Sequence, residues 1–197
     1  MKKILLIVVV AILSGCSPAP DVSEKVVWYP KPKEVQSFQL QDQYGEVLSN
    51  QDFAGKWNLL FLGYTSCPDV CPMTLLKLTH VYQSMKDKSK LQVWFVSVDP
   101  HRDSKERRQA YIRHFDPTFK AVSAEHSILF PFVRDLGLIY SINQEQQEEY
   151  YVDHSASVAL INPKGQLEAI FKPSHEVGTV PTIDEKQLLK DLNSIIN

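Results

Sequence analysis

The sequence predicts an α/β fold, in which a central sheet is flanked by helices. Two nearly continuous apolar runs, at 57–64 and 91–98, have the length and composition of strands that are buried on both faces. A helical pattern follows each run, and an antiparallel pair of apolar segments with a final amphipathic helix completes the chain. About 160 residues follow residue 35, enough for one domain with a well-buried core.

The elements of the first half are predicted from periodicity and turn residues. A turn at 42–45 joins two short apolar segments into an N-terminal β-hairpin ahead of the first buried strand. Pro72 suits the first position of a helix that continues to about residue 86. After the second buried strand, Ser104 is the predicted N-cap of a charged helix, in which Arg107 is a predicted partner of Asp103.

The second half is predicted in the same way. Gly137 ends a helix that begins near residue 127. A turn at 163–165 joins strands at 157–162 and 166–171. Thr182 is the predicted N-cap of the last helix. The order of strands and helices matches the thioredoxin-like architecture, with the hairpin as an N-terminal extension.

The first 15 residues have the layout of a secretory signal. Two lysines precede an apolar run of about ten residues, shorter than the ~20 residues that a bilayer-spanning helix needs. The run ends in Leu-Ser-Gly-Cys, which resembles the lipobox of bacterial lipoproteins. We therefore predict a lipoprotein signal peptide at 1–15, lipidation at Cys16, and a membrane-anchored location on the extracytoplasmic side of a bacterial cell envelope, which is the periplasm in a Gram-negative host. An uncleaved anchor helix is the alternative.

Composition limits the partners and the domain count. The formal net charge is −2, without the clustered basic face that nucleic acid binding requires. Residues 16–35 contain four prolines and few apolar groups that look buried, which predicts a lipidated N-terminus and a flexible tether. Residues 36–197 form the predicted domain.

Cys67 and Cys71 are the strongest candidates for a redox or metal-binding site. They lie where the first buried strand hands over to a helix, the edge at which α/β sheets place their sites. The helix N-terminus favours thiolates, which either exchange a disulfide or bind a soft ion such as Cu(I). Three residues separate the cysteines, one more than in thioredoxins, so the sulfurs have room to splay around a metal. Two thiolates do not complete a zinc site, so a third ligand is expected.

His154, one of six histidines, is the candidate for that ligand. It precedes a buried strand, at the place where thioredoxin-like folds bring a loop opposite the cysteines. Asp153 is the predicted partner of its second ring nitrogen. The alternative is an ordinary surface histidine, since most single histidines are not ligands.

Three segments resemble the signature sequences of the Sco/SenC family. They are Gly-Tyr-Thr-Ser-Cys-Pro-Asp-Val-Cys-Pro at 63–72, Val-Ser-Val-Asp-Pro-His-Arg-Asp at 96–103, and Val-Asp-His-Ser at 152–155. Members of this family are membrane-tethered, thioredoxin-like copper proteins linked to the assembly of cytochrome c oxidase. The resemblance extends over the predicted domain. One departure is Ser66, which stands where many members have histidine.

The resemblance implies that Cys67, Cys71 and His154 bind copper, as Cu(I) or Cu(II). The imidazole should matter more for Cu(II), which favours a tetragonal ligand set. Asp69 is either a residue that caps the following helix or a weak oxygen ligand. Residues 99–103 form either a salt-bridged support for the site or a plain strand-to-helix turn.

Three functions remain open at this point. The first is a metallochaperone that delivers copper to the dinuclear copper site of cytochrome c oxidase. Its partners would be the copper-bearing subunit of that oxidase, and another periplasmic copper chaperone or a thiol reductase. The second is a thiol–disulfide oxidoreductase that keeps the cysteines of an oxidase subunit or copper chaperone reduced, with Cys67 attacking and Cys71 resolving. The third is a copper or redox sensor. A peroxiredoxin-like peroxidase is a weaker alternative.

Overall fold

A computed structural model describes residues 19–142, 150–175 and 180–196. The predicted signal peptide and the predicted lipidation site, Cys16, lie outside these residues. Within the described ranges, no helix combines the length and the apolar character needed to cross a membrane.

The described chain contains ten strands and four α-helices. Two 3₁₀ turns, Asn50–Phe53 and Lys88–Lys90, precede β4 and β5. The strands are β1 (Val26–Glu34), β2 (Leu40–Gln41), β3 (Val47–Leu48), β4 (Trp57–Gly63), β5 (Leu91–Ser97), β6 (Lys120–Val122), β7 (Tyr140–Ile142), β8 (Val152–His154), β9 (Val158–Ile161) and β10 (Gln166–Phe171). The helices are α1 (Val70–Ser84), α2 (Lys105–Arg113), α3 (His126–Asp135) and α4 (Glu185–Ile196).

A six-stranded mixed sheet organises the molecule, in the order β1-β10-β9-β4-β5-β6. Strands β4, β5 and β6 are parallel, whereas β9 is antiparallel to β4, and β10 and β1 each run antiparallel to their neighbour. Two small sheets, β2–β3 and β7–β8, lie outside it. The predicted α/β class, the central sheet and the N-terminal hairpin are confirmed.

The core lies around the two central strands. Residues 59–62 of β4 and 93–96 of β5 are fully buried, and burying each large apolar side chain stabilises the fold by about 1.5–3 kcal/mol. Asn58 is buried among them, and both polar atoms of its side chain have hydrogen-bond partners. Its amide donates to the carbonyls of Phe53 and Lys56, and its Oδ1 accepts from Trp94 Nε1 at 2.9 Å. This satisfied polar group fixes the register at the base of the sheet.

The predicted tether is wrong for Val26–Glu34, which forms the edge strand β1. This strand pairs with β10, from Val26 opposite Phe171 to Glu34 opposite Gln166. Its prolines, Pro30 and Pro32, are tolerated because the strand lies at a sheet edge and its register shifts between Trp28 and Lys33. A proline-rich composition therefore concealed a strand, and any flexible tether ends before Val26.

The predicted cap of the last helix is also wrong. Asp184 caps α4, because its Oδ1 accepts a hydrogen bond from the backbone N–H of Gln187 at 2.9 Å. Thr182 instead accepts a hydrogen bond from Lys77 Nζ at 2.6 Å, which links α1 to the segment before α4. Ser104, by contrast, is confirmed as the N-cap of α2, where its side chain accepts from the N–H of Arg107.

Candidate metal centre

The structure brings together the three side chains that the sequence singled out. Cys67 lies in the loop after β4, Cys71 lies in the first turn of α1, and His154 ends β8. The two sulfurs and a ring nitrogen of His154 all lie within 4.8 Å of one another. Cys71 Sγ is 3.3 Å from His154 Nε2, and the Cys71 N–H donates to Cys67 Sγ at 3.4 Å. Across the described ranges, no other group of His, Cys, Asp and Glu side chains has a geometry fit for a metal ion.

The imidazole of His154 is oriented as a metal ligand requires. Its Nδ1 lies 3.1 Å from the carbonyl oxygen of Ser155. A carbonyl oxygen only accepts, so Nδ1 carries the proton and the lone pair of Nε2 faces the cysteines. The predicted role of Asp153 is therefore wrong, since a backbone carbonyl takes the second ring nitrogen. Edge-on contacts with the rings of Phe61 and Tyr64 hold the imidazole plane.

The two thiols differ strongly in acidity. The pKa of Cys67 is lowered to about 4, chiefly because the Cys71 side chain hydrogen-bonds to its thiolate, with further contributions from the N–H groups of Cys71 and Asp69. The pKa of Cys71 is raised, chiefly because this side chain is buried and secondly because of the neighbouring Cys67 thiolate. At neutral pH the metal-free pair therefore holds one negative charge, on Cys67.

Alkylation should reveal this asymmetry. In the reduced, metal-free protein, the rate at which iodoacetamide modifies Cys67 should stay nearly constant between pH 5.5 and 8, because the thiolate is already formed. An ordinary thiol, with a pKa of about 8.5, would become roughly tenfold more reactive with each pH unit. Peptide mass mapping at each pH separates Cys67 from the buried Cys71. A Cys67 rate that climbs tenfold per pH unit would contradict the assigned charge state.

Asp103 fixes the start of the cysteine loop. Its carboxylate accepts hydrogen bonds from the Thr65 N–H at 2.9 Å, from the Thr65 hydroxyl at 2.6 Å and from the Ser97 hydroxyl at 2.6 Å. The predicted ion pair between Asp103 and Arg107 is wrong, because Arg107 donates to the Ser66 hydroxyl at 2.8 Å. Ser66, at the position where many family members have histidine, is thus hydrogen-bonded to α2.

The segment 99–103 is a salt-bridged support, one of the two readings that the sequence left open. Asp99 is fully buried and pairs with Arg102, whose Nε lies 2.5 Å from its Oδ2. Arg102 also donates to the Tyr150 carbonyl at 2.9 Å, and its guanidinium stacks 3.5 Å from the Tyr150 ring centre. Tyr150 returns a hydroxyl hydrogen bond to Asp99 at 2.6 Å. These contacts anchor the chain that leads into β8 and His154.

Asp69 lies at the N-cap position of α1, but its side chain makes no capping hydrogen bond. The group of side chains that could hold a metal does not include it. Its N–H contributes instead to the low pKa of Cys67.

Gly63, which sequence reasoning missed, gives Cys71 its space. A Cβ at Gly63 would lie 3.0 Å from Cys71 Sγ and 2.6 Å from a ring carbon of Phe95. Both neighbours are fully buried, so neither has room to move away. Gly63 opens the signature segment 63–72, but the segment does not reveal why a glycine is needed, because the requirement depends on the packing of β4 against β5 and α1.

Gly63→Ala should therefore disturb both stability and the site. Overpacking a filled core costs about 1–3 kcal/mol, and we expect the free energy of unfolding to fall by that amount in urea titrations. The cost should be smaller in a Cys71→Ala background, because the contact with Sγ is then absent. Equal costs in the two backgrounds would show that Gly63 does not position Cys71.

The centre opens to solvent through a cavity of about 360 Å³. Cys67 is half-buried on its wall, whereas Cys71 lies fully buried behind it. The cavity lining includes apolar side chains around the sulfur and the imidazole, among them Pro68, Tyr151 and Val180. A ligand or a second protein therefore meets Cys67 first.

Comparison with known proteins agrees with this geometry. The family model described as SCO1/SenC matches residues 29–186. The chain belongs to the SCO1/SenC family. The human protein SCO1 homolog, mitochondrial, is 31% identical over 147 residues, which is 73% of this chain and 49% of that protein. The chain spans about half the length of the mitochondrial relatives that it matches.

Solved structures place the fold in the same family. The solution structure of apo Sco1 from Thermus thermophilus matches with a TM-score of 0.74 at 31% identity, covering 89% of this chain and 99% of that one. The structure of Bradyrhizobium japonicum ScoI with copper bound matches with a TM-score of 0.67 at 27% identity, covering 82% and 98%. The predicted membership of the Sco/SenC family and the predicted thioredoxin-like fold are confirmed.

Proposed function

We propose that this chain is a copper metallochaperone that delivers copper to the dinuclear copper site of cytochrome c oxidase during its assembly. The observation that carries the proposal is the convergence of two cysteine sulfurs and one histidine nitrogen within 4.8 Å. Two soft thiolates suit Cu(I), and an added imidazole suits Cu(II). The copper-bound structure from Bradyrhizobium japonicum supports the choice of metal.

The different burial of the two cysteines suits a copper ion that must be passed on to an acceptor. Copper bound by this set would displace the remaining proton from Cys71, since ligating thiols are deprotonated. The half-buried Cys67 is the ligand that an incoming thiolate of the acceptor can replace first. The buried Cys71 would give up the ion last and take a proton back. Each metal–sulfur bond that breaks is matched by one that forms, so transfer needs no reductant.

The thiol–disulfide oxidoreductase alternative is not favoured. Such an enzyme needs a reactive thiolate and a resolving thiol, but it does not need a third soft-metal ligand. Here His154 Nε2 lies 3.3 Å from Cys71 Sγ, with Nδ1 held by a carbonyl. This position serves a metal better than it serves disulfide exchange. Nothing about the described residues favours a sensor over a carrier.

The proposed setting is the extracytoplasmic face of a bacterial membrane. Lipidation at Cys16, after removal of residues 1–15, would hold the domain there. The proposed acceptor is the copper-bearing subunit of the oxidase, and a further periplasmic copper chaperone or thiol reductase would supply copper or keep Cys67 and Cys71 reduced. The layout of the first 16 residues supports this setting.

A transfer experiment tests the proposal. The copper-loaded protein is mixed under anaerobic conditions with the reduced, metal-free domain that carries the dinuclear copper site. We expect Cu(I) to leave the carrier for the acceptor, and the absorption and electron paramagnetic resonance signals of the mixed-valence dinuclear site to appear once ferricyanide has removed one electron per site, since a site filled with Cu(I) alone gives neither signal. The matched control is the Cys71→Ala variant, which should transfer none. A second mixture contains the reduced, copper-free protein and the disulfide-oxidised acceptor. If no copper moves in the first mixture, while in the second the acceptor is reduced as Cys67 and Cys71 form a disulfide, the chain is a thiol reductase instead.

A further inference from the structure

The N-terminal end of the described chain reaches the sheet at the same edge as the metal centre. In β1, Val26 pairs with Phe171 of β10, and Phe171 pairs with Val158 of β9. Val158 in turn pairs with Phe61, two residues before β4 ends beside the cysteine loop. The start of β1 therefore lies at the same end of the sheet strands as the loop that carries Cys67.

Direct contacts confirm this neighbourhood. The carbonyl of Lys25 accepts a hydrogen bond from the N–H of Lys172 at 2.8 Å. Glu24 and Lys25 line a shallow cavity together with Ser155 and Ala156, the residues that follow His154. Ala156 also lines the cavity in which Cys67 is exposed. The N-terminal segment thus borders the loop that holds the imidazole.

Ser23 fastens this segment to the domain. Its N–H and its hydroxyl both donate to the carboxylate of Asp191, at 2.9 and 2.7 Å. Asp191 lies in α4 and is only 1% exposed. Free movement between membrane and domain is therefore limited to the chain before Ser23.

That free length is short. Six residues lie between Cys16 and Ser23, and the seven Cα–Cα steps of a fully extended chain span at most about 25 Å. A compact domain of this size is roughly 40 Å across. A membrane attachment at or before Cys16 therefore holds the edge with the metal centre closer to the bilayer than the opposite edge of the sheet.

The side chains around this edge have the character of a surface that contacts lipid headgroups. Tyr151 is 74% exposed and Ile139 is 69% exposed. Ile139 lies beside the His154 loop, because its N–H donates to the Ser155 hydroxyl at 3.0 Å and its carbonyl accepts from the Ser155 N–H. Exposed apolar side chains that lie together, rather than singly, mark contacts with a partner or a membrane. Val180, exposed on the wall of the Cys67 cavity, adds to them.

We propose that the site rim, defined as Lys25, Ile139, Tyr151, Lys172 and Val180, rests on the headgroup region of the membrane, so that the copper cavity opens toward the bilayer surface. The proposal rests on membrane attachment through the N-terminus, by a lipid at Cys16 or by an anchor helix. Tyrosine and lysine suit this region because each has an apolar body and a polar tip. The negative charge of Glu24 offsets the positive charge of one of the two lysines. Apolar contact rather than net charge therefore provides the affinity of the site rim for the membrane.

Tryptophan quenching tests this orientation. The full-length protein, purified from membranes, is reconstituted into phosphatidylethanolamine–phosphatidylglycerol vesicles that contain brominated acyl chains. Tyr151→Trp, and independently Ile139→Trp, places a fluorophore in the site rim. The matched control is Lys164→Trp, an exposed position in the turn between β9 and β10 at the opposite end of the same strands. We expect the rim tryptophans to lose most of their added emission, since interfacial groups lie ~5–10 Å into the headgroup–acyl boundary, and the control to lose none.

Two outcomes would overturn the proposal. Equal quenching at rim and control positions would show a randomly oriented domain. No quenching at either rim position would show that the rim stays in water, and slower copper transfer by Tyr151→Ala would then assign it to protein docking. A copper titration of the unsubstituted protein in the same vesicles keeps the two proposals apart. If that protein fails to bind copper while the rim tryptophans are quenched, the carrier function is contradicted and the orientation stands.

Discussion

Replacing Cys71 by alanine should abolish stoichiometric copper binding while the domain stays folded. The substitution removes one of two soft donors and leaves only Cys67 and His154 as ligands. Loss of a partner that merely supports a ligand lowers metal affinity about 10–100-fold, so loss of a thiolate should lower Cu(I) affinity by more than about 100-fold. Competition with a chromophoric Cu(I) chelator measures this change.

The control for this experiment is Met73→Leu. Met73 also carries sulfur, lies two positions further along α1, and is 43% exposed. We expect its Cu(I) affinity to equal that of the unsubstituted protein. Circular dichroism and urea unfolding verify that Cys71→Ala is folded. Retained one-to-one binding in Cys71→Ala would remove the buried thiolate from the centre.

Replacing Asp99 by alanine should cause a large loss of stability. Asp99 is fully buried, and the substitution removes the carboxylate that pairs with Arg102, only 16% exposed, and that accepts the hydrogen bond of the Tyr150 hydroxyl. Breaking a buried ion pair by removing one partner typically costs about 3–5 kcal/mol. Urea unfolding should show a loss of this size. The affinity for Cu(II) should fall as well, because the Arg102–Tyr150 contact supports the chain that enters β8.

Two comparisons make this result specific. Glu106→Gln alters an exposed residue whose ion pair with Lys105 is 3.8 Å long, and it should leave unfolding unchanged. The double variant Asp99→Ala with Arg102→Met should recover part of the lost stability, because no unpaired buried charge remains. A double variant as unstable as Asp99→Ala would contradict the assigned role of the ion pair.

The sequence was informative where a pattern extends over many residues. Strands β4 and β5 are continuous apolar runs because both faces are covered, and the apolar spacing of α1 reflects its packing on the sheet. Strand β1 could not be predicted, since Val26–Glu34 becomes a strand only by pairing with β10, and its prolines suggest a linker. Strands β6, β7 and β8 have three residues each, too few for a period to be visible.

The candidate site, too, was predictable from the sequence only in part. The two cysteines were evident from their spacing at a strand-to-helix junction, and His154 gained weight from the resemblance to a known family. Of their supports, the salt-bridged segment 99–103 was one of two possibilities that the sequence offered, but the residues it contacts were not evident. Arg102 and Tyr150 are 48 positions apart, and the requirement for Gly63 arises from the packing of β4 against Phe95 and Cys71. Contacts of this kind are set by the sheet topology, which no local pattern contains.

The most direct test of the copper centre is an anaerobic copper titration of the reduced protein beside a His154→Ala variant. We expect tight one-to-one binding by the unsubstituted protein. In the variant, Cu(I) binding through the two thiolates should largely remain, whereas Cu(II) binding and its sulfur-to-copper charge-transfer bands should weaken markedly. Weak binding by both proteins, with no dependence on His154, would contradict a three-ligand copper centre and return the cysteine pair to thiol–disulfide chemistry.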